Sequence, residues 1–161
     1  MKLESSLHLR PVHADDSRLL FEWANNPKVR EMSLDSNTIT WEDHCRWFQE
    51  TLESDCCKLY IAYTSHKNPV GQIRFNIEHG SAFTDISIDS RYRTKGLGLH
   101  LLTSGIKMLG RELPIKKIYA IVKNDNIPSR KIFEQAGFSI QNKNSTASKT
   151  LTFELNLSAN I

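Results

Sequence analysis

The residues of this chain with the clearest chemical signature form the stretch from Asp89 to Leu99, which reads DSRYRTKGLGL. Basic side chains at Arg91, Arg93 and Lys95 lead into a Gly-x-Gly turn, and an apolar run with helical spacing follows it. A glycine turn at a helix N-terminus presents backbone N–H groups that lack intrahelical partners, at the positive end of the helix dipole. The sequence therefore predicts a binding site for a phosphorylated ligand.

Two common phosphate-binding motifs do not fit this turn. The dinucleotide fingerprint needs a third glycine three residues after Gly98, where Leu101 stands, and it opens the first strand–helix–strand unit of its domain. The P-loop needs Gly-Lys-Ser/Thr after its second glycine, and that sequence is absent. The turn belongs to another class of phosphate site.

The bulk properties restrict the class of protein. A chain of 161 residues is expected to form one domain, residues 1–161. The net charge of +3 is too small to predict binding to nucleic acid. Because no apolar run approaches about 20 residues and the first residues do not resemble a signal peptide, we expect no membrane association and a cytoplasmic location. The three cysteines have no zinc-ligand spacing and are expected to be reduced thiols without metal.

Hydrophobic periodicity and turn residues predict an α+β chain with a central hairpin meander. Strands are predicted at 7–12, 58–63, 70–77, 82–89, 116–122, 138–141 and 151–157. Helices are predicted at 18–24, 41–52, 97–110 and 128–136, with a loop or broken helix at 29–36 and a polar hairpin loop at 142–150. The meander excludes a plain doubly wound sheet.

Two motifs in this order resemble the GNAT family of N-acetyltransferases. Arg93-Thr94-Lys95-Gly96-Leu97-Gly98 resembles its Arg/Gln-x-x-Gly-x-Gly/Ala motif, and the stretch from Asn126 to Phe138 resembles its second motif, which ends in Gly-Phe. The resemblance covers nearly the whole chain. It implies a mixed α/β fold with a twisted, mostly antiparallel sheet of six to seven strands, splayed in the middle and flanked by about four helices.

The resemblance also implies acetyl-CoA as the acyl donor. Backbone N–H groups at the glycine turn would hold the pyrophosphate, and the strand before the turn would pair with pantetheine as an added strand does. The implied donor-binding residues are Ile86, Ser87, Ile88, Arg93, Thr94, Lys95, Gly96, Leu97, Gly98, Leu99, Asn126, Ser129 and Phe133. The family often has glycine at the Thr94 position, so a local conformational cost is expected there.

The candidate catalytic residues are Asp85, His79 and Tyr92. Asp85 lies near the place where the family often carries a base, and Glu78 and His79 are the alternatives on the neighbouring strand. Phe133 stands where the family often has a proton-donating tyrosine, and a phenyl ring cannot donate a proton. A thiol leaving group is acidic enough to depart without obligatory protonation, so Phe133 does not exclude catalysis. Tyr92, Tyr119 or a bound water could take the place of the tyrosine.

The acceptor is expected to lie against the first helices, where aromatic and amide side chains cluster. This region resembles the branch of the family that acetylates amino sugars carried by UDP, as in pseudaminic-acid-type biosynthesis, although Ala24 replaces a basic residue common there. The predicted acceptor-binding residues are Trp23, Asn25, Arg30, Trp41, His44 and Trp47. The alternative is that the aromatic residues and His44 are simply the buried faces of two helices.

Three functions agree with the sequence. The first is N-acetylation of a small amine by a monomer or homodimer, with a UDP-linked amino sugar as the expected acceptor. The second is N-terminal acetylation of a protein of the ribosomal type, which needs an open groove at the first helices. The third, suggested by Phe133, is a non-catalytic acyl-CoA-binding module.

Overall fold

The computed structural model describes residues 6–141 and 149–157. Seven strands form one sheet in the order β1-β2-β3-β4-β5-β7-β6. The strands are His8–Pro11 (β1), Cys57–Tyr63 (β2), Pro69–Glu78 (β3), Ser81–Ile88 (β4), Lys117–Lys123 (β5), Ser139–Ile140 (β6) and Thr150–Asn156 (β7). The helices are Ser17–Ala24 (α1), Pro27–Met32 (α2), Trp41–Glu53 (α3), Leu97–Glu112 (α4) and Ile127–Gln135 (α5).

The predicted fold class is confirmed: the sheet is mixed and mostly antiparallel, and helices flank it. The helix α2 falls in the region that the sequence left as a loop or broken helix. It forms because Asn26 accepts a hydrogen bond from the Lys28 N–H and Pro27 occupies the first helical position. Most of the predicted polar loop at 142–150 lies outside the described residues.

The middle of the sheet opens between β4 and β5. These strands run parallel and pair only from Ser81 with Lys117 to Phe83 with Tyr119. Beyond that point β4 continues to Ile88 along β3, and β5 continues to Lys123 along β7. The two strands therefore diverge, and the gap predicted at the centre of the sheet is present.

Hydrophobic side chains cover both faces of the sheet. On one face, α4 and α5 cover the larger core, whose fully buried members include Ile73, Leu101, Leu102 and Phe153. On the other face, α1 and α3 cover a smaller core of Leu20, Trp23, Phe48, Leu59 and Ile61. The gap between β4 and β5 thus lies between a thick layer on one side and the first helices on the other.

Candidate active site

The N-terminus of α4 carries the predicted phosphate-binding turn. Gly96 precedes the helix in the left-handed conformation, with φ +75°, and no side chain of residues 6–141 or 149–157 caps it. The first N–H groups of this 16-residue helix therefore point away from the helix with the dipole behind them. A Cβ at Gly96 would meet nothing described within 4 Å, so the conformation, rather than space, requires glycine here.

Gly98 is required for a different reason. A Cβ at this position would lie 2.5 Å from Cδ1 of Ile132 on α5 and 4.0 Å from Cδ1 of Ile86 on β4. The absence of a side chain lets α5 and β4 approach the first turn of α4 closely. The two glycines of the motif thus have different roles: Gly96 adopts the positive φ of the turn, and Gly98 lets α5 and β4 pack closely against α4.

Thr94 adopts φ +63°, which lies in the left-handed region. This agrees with the conformational cost expected at this position from the absence of glycine. A β-branched residue is a clear outlier in this region. Its hydroxyl donates to the Arg93 carbonyl at 2.6 Å, which partly offsets the strain. The turn therefore adopts a positive φ at a position where this chain has threonine instead of glycine.

Thr94→Gly is expected to raise the free energy of unfolding by about 1 kcal/mol, because the left-handed penalty of about 1–2 kcal/mol exceeds the entropy cost of glycine. Thr94→Ala should gain much less, since alanine retains a Cβ. Urea unfolding of the three proteins measures both values, and a loss of stability in Thr94→Gly would contradict the assignment of strain.

Along β4, every second residue directs its backbone N–H and C=O groups away from β3 and into the gap. The Asp89 N–H donates to the Val70 carbonyl of β3 at 2.8 Å. Because the backbone of antiparallel strands alternates, Ser87 shares this direction, and Ile86 and Ile88 direct their N–H and C=O groups into the gap. The predicted pairing with pantetheine therefore falls on Ile86 and Ile88, while Ser87 offers only its side chain, on the opposite face.

Residues of the second motif frame the far side of the gap. Asn126 caps α5 by accepting from the Ser129 N–H at 3.3 Å, which leaves its amide group as a donor. Phe133 is 2% exposed, and its ring packs 5.1 Å from Phe138 and 5.6 Å from Phe153. The residue at the usual tyrosine position is a core side chain here, so Phe133 serves the fold.

A cavity of about 380 Å³ lies on the opposite face of the sheet, between α1 and the end of β4. Its wall includes Glu22, Trp23 and Asn26 on the helical side and Ser87, Ile88 and Asp89 on the strand side. A volume of this size suits a small molecule or part of one. The cavity meets the gap between β4 and β5 at Ile88.

Asp89 ties the two walls of this cavity together. Its carboxylate accepts from Nε1 of Trp23 at 2.8 Å and from the backbone and guanidinium of Arg91 at 2.9–3.0 Å. Hydrogen bonding to Arg91, joined by that to Trp23 and opposed by burial, lowers the pKa of Asp89 to about 2. Sequence reasoning missed this residue, although it stands inside the stretch that was singled out.

Asn25 and Arg30, both predicted to bind the acceptor, have their polar groups engaged inside the protein. The Asn25 carboxamide donates to and accepts from the Ile39 backbone, both at 2.8 Å. Arg30 donates to the carbonyls of Ala24, Asp35 and Asn37 and to the Ser33 hydroxyl. These bonds hold the segment between α1 and α3 in place, and the predicted contacts of Asn25 and Arg30 with the acceptor stay a prediction that requires some of these bonds to open.

The aromatic residues of α3 form a cluster with Phe21. His44 is 2% exposed, stacks on Phe48 with centroids 5.9 Å apart, and shares a hydrogen bond of 2.8 Å with the Ser17 carbonyl. Burial lowers the pKa of His44 despite that bond, so the ring is neutral near pH 7. Trp41 and Trp47 pack beside His44 at 5.6 and 5.7 Å. Of the predicted acceptor residues, only Trp23 lines the cavity.

Comparison with known proteins identifies the architecture. Residues 6–139 match the family described as the acetyltransferase (GNAT) domain. The chain belongs to the GNAT family of acetyltransferases. It is 32% identical over 133 residues to YwnH of Bacillus subtilis, whose name carries a provisional assignment as a phosphinothricin acetyltransferase, with 79% of this chain and 80% of YwnH covered. It is 27% identical over 130 residues to acetyltransferase PseH of Campylobacter jejuni, with 80% of each chain covered.

Solved structures share the fold of this acetyltransferase. The spermidine N-acetyltransferase of Vibrio cholerae, solved with CoA and spermine, superposes with a TM-score of 0.86 at 18% identity, covering 96% of this chain and 98% of that one. At that identity the likeness concerns the fold. Among the described residues no helix is long and apolar enough to cross a membrane, and no cluster of metal-ligating side chains occurs.

As a GNAT acetyltransferase, the chain uses acetyl-CoA, and its residues fit that donor. The uncapped N-terminus of α4 suits a pyrophosphate, and the space that a Cβ at Gly98 would fill lies beside it. Arg93 donates from Nε to the Ile88 carbonyl at 3.1 Å and from a terminal nitrogen to Asn26 at 3.4 Å. Its side chain therefore braces the turn against both β4 and the start of α2.

The predicted catalytic residues of this acetyltransferase separate in space. His79 lies in the two-residue turn between β3 and β4, with its side chain 92% exposed, and the gap opens only after Phe83. About four residues of strand, at roughly 3.3 Å each, separate it from even the start of the gap, which argues against its predicted role as a base. Tyr92 lies in the 3-10 turn Ser90–Tyr92 before the glycine motif, beneath the cations of Arg91 and Lys95.

Asp85 lies on the cavity side of the sheet but is engaged with β3. Arg74 and Gln72 both donate to its carboxylate, and the Arg74 guanidinium also lies 5.5 Å from the Trp47 ring centroid. The Asp85 side chain remains 50% exposed. A catalytic role for Asp85 therefore requires that its ion pair with Arg74 open or that a water carry the proton.

Proposed function

We propose that this acetyltransferase transfers the acetyl group of acetyl-CoA to a primary amine of a small molecule held in the cavity beside Trp23. The observation that carries the proposal is the position of Ile88. Its backbone faces the donor gap, and its residue also lines the cavity on the other face. Donor and acceptor sites on opposite faces of the sheet thus meet at one point of β4.

The cavity wall supports a hydroxylated acceptor. Ser87 and Ser90 bring hydroxyl groups to it, Asn26 brings a carboxamide, and the Trp23 indole forms an apolar side. Such a mixture of hydroxyl groups and one aromatic ring is suited to a sugar. We propose the amine of a nucleotide-linked amino sugar as the acceptor, which is also the acceptor implied by the resemblance of the first helices to the amino-sugar branch of the family.

The residues of the chain have separate tasks in this reaction. Acetyl-CoA supplies a thioester carbonyl, which a neutral amine attacks. The turn from Lys95 to Leu99 binds the donor, and the gap-facing backbone of Ile86 and Ile88 orients it. The Trp23 wall orients the acceptor. When the C–N bond forms and the C–S bond breaks, the proton lost by the amine nitrogen passes to water, and because Phe133 cannot donate a proton, the sulfur leaves as a thiolate.

An acceptor panel tests the proposal. The purified protein is incubated with acetyl-CoA and, separately, with UDP-linked amino sugars, phosphinothricin, spermidine and N-terminal peptides, and thioester loss is followed by absorbance. We expect kcat/KM to be at least about tenfold higher for a UDP-linked amino sugar than for any peptide. Preference for peptides would favour the protein acetyltransferase, and CoA binding without turnover of any amine would favour the non-catalytic module.

A further inference from the structure

The acceptor cavity contains one carboxylate that the protein itself does not use. Four charged side chains line it: Glu22, Asp89, Arg91 and Arg93. Asp89 and Arg91 form an ion pair at 3.0 Å, and Arg93 donates to Ile88 and Asn26. Within the part of the chain that the structure describes, no hydrogen bond or ion pair involves the Glu22 carboxylate.

Glu22 is an exposed residue of α1 that lines the cavity. Leu19, Glu22 and Trp23 stand at positions i, i+3 and i+4 of the helix, so they share one face, and all three line the cavity. The indole N–H of Trp23 on that face is already bonded to Asp89. A ligand that enters the cavity therefore meets Glu22 as the anionic group of the helical wall.

We infer that Glu22 forms an ammonium-binding subsite for the acceptor. The inference rests on the proposed function and narrows it: the acceptor enters as a cation, and its ammonium group releases one proton to solvent water before the neutral nitrogen attacks the thioester. A primary amine is protonated in water near neutral pH, and a charge-assisted hydrogen bond to a carboxylate is stronger than one between neutral groups. Arg93 lines the strand end of the same cavity and carries the opposite charge to Glu22. An acceptor with an anionic group in addition to its amine would therefore complement both ends.

Binding measured without the acetyl donor tests this subsite. Glucosamine and N-acetylglucosamine share one ring, and only the first carries an ammonium group at about pH 6. Each is titrated into the ¹⁵N-labelled protein while the indole N–H signal of Trp23, assigned with Trp23→Phe, is followed. We expect glucosamine to shift this signal and to bind at least about tenfold more tightly than N-acetylglucosamine.

The variants decide the role of the carboxylate. Glu22→Gln should remove the tenfold preference, Glu22→Asp should retain part of it, and Glu50→Gln, which changes an exposed carboxylate of α3, should retain all of it. Unchanged glucosamine binding in Glu22→Gln, or no preference in the unaltered protein, would overturn the subsite. Preference through Glu22 without turnover of any amine in the panel would contradict the proposed function alone.

Discussion

Gly98→Trp is expected to weaken the binding of acetyl-CoA by at least about 100-fold, which corresponds to about 2.7 kcal/mol. Even a Cβ at this position lies 2.5 Å from Ile132, and an indole would fill the space between α5, β4 and the first turn of α4. The N–H groups that we propose as the pyrophosphate site would then be blocked. Isothermal titration of CoA and acetyl-CoA measures the loss.

The control lies on the same helix. Gly110 is near the other end of α4, and a Cβ there would meet no described heavy atom within 4 Å, so Gly110→Trp should leave the affinity unchanged. Gly98→Ala gives a graded version, since the end of the Ile132 side chain can move. Wild-type affinity in a folded Gly98→Trp protein would remove the donor site from the α4 N-terminus.

Asp89→Asn is expected to lower the free energy of unfolding at pH 7 by about 2 kcal/mol. The folded-state pKa of about 2 lies below the ordinary value of 3.8, and that difference corresponds to about 2 kcal/mol. Asparagine would also turn an amide donor toward the donors of Arg91 or Trp23. Urea unfolding at pH 7 measures the difference.

The pH dependence follows from the sign of the shift. A lowered carboxyl pKa stabilises the fold above about pH 4, and that contribution disappears as the pH falls toward 2. The difference between the free energies of unfolding of the wild-type protein and Asp89→Asn should therefore decrease from pH 5 to pH 3. A constant difference over that range would show that Asp89 does not titrate as its contacts imply.

The same substitution should affect the acceptor more than the donor. Without Asp89 the Trp23 indole loses its hydrogen bond, and the cavity wall loses its fixed position. We expect the KM of the acceptor found in the panel to rise at least about fivefold in Asp89→Asn, with a smaller effect on the KM of acetyl-CoA. Trp23→Phe, which removes only the indole N–H and part of the ring, should shift the acceptor KM in the same direction.

The helix, the turn and the glycine positions of the proposed donor site were predictable because their signals are local. Neighbouring residues in the sequence indicate the two glycines at the start of α4, the basic residues before them and the cap of α5. Even the cost at Thr94 was visible, since a β-branched residue stood where the turn needs positive φ. The gap in the sheet followed from the family resemblance, and the register of β4 with β5 confirms it.

The acceptor half was less predictable because its contacts join distant parts of the chain. Asn25 bonds Ile39, and Trp23 bonds Asp89 across 66 positions, which no spacing rule indicates. His44 was predicted to contact the acceptor, but in the fold it stacks on Phe48 and shares a hydrogen bond with the Ser17 carbonyl. The residues around Glu22 in the sequence form no motif, so its place in the wall of the cavity could not be predicted before the fold was known.

A crystal structure of the protein with bound CoA tests whether the donor and acceptor sites lie on opposite faces of the sheet and meet at Ile88. We predict that the pyrophosphate lies within hydrogen-bonding distance of the N–H groups between Lys95 and Leu99, and that the thiol lies beside Ile88. We also predict pantetheine along Ile86 and Ile88, with the thiol at the mouth of the cavity beside Trp23. A pyrophosphate bound away from the α4 N-terminus, or a thiol that opens away from this cavity, would contradict this arrangement.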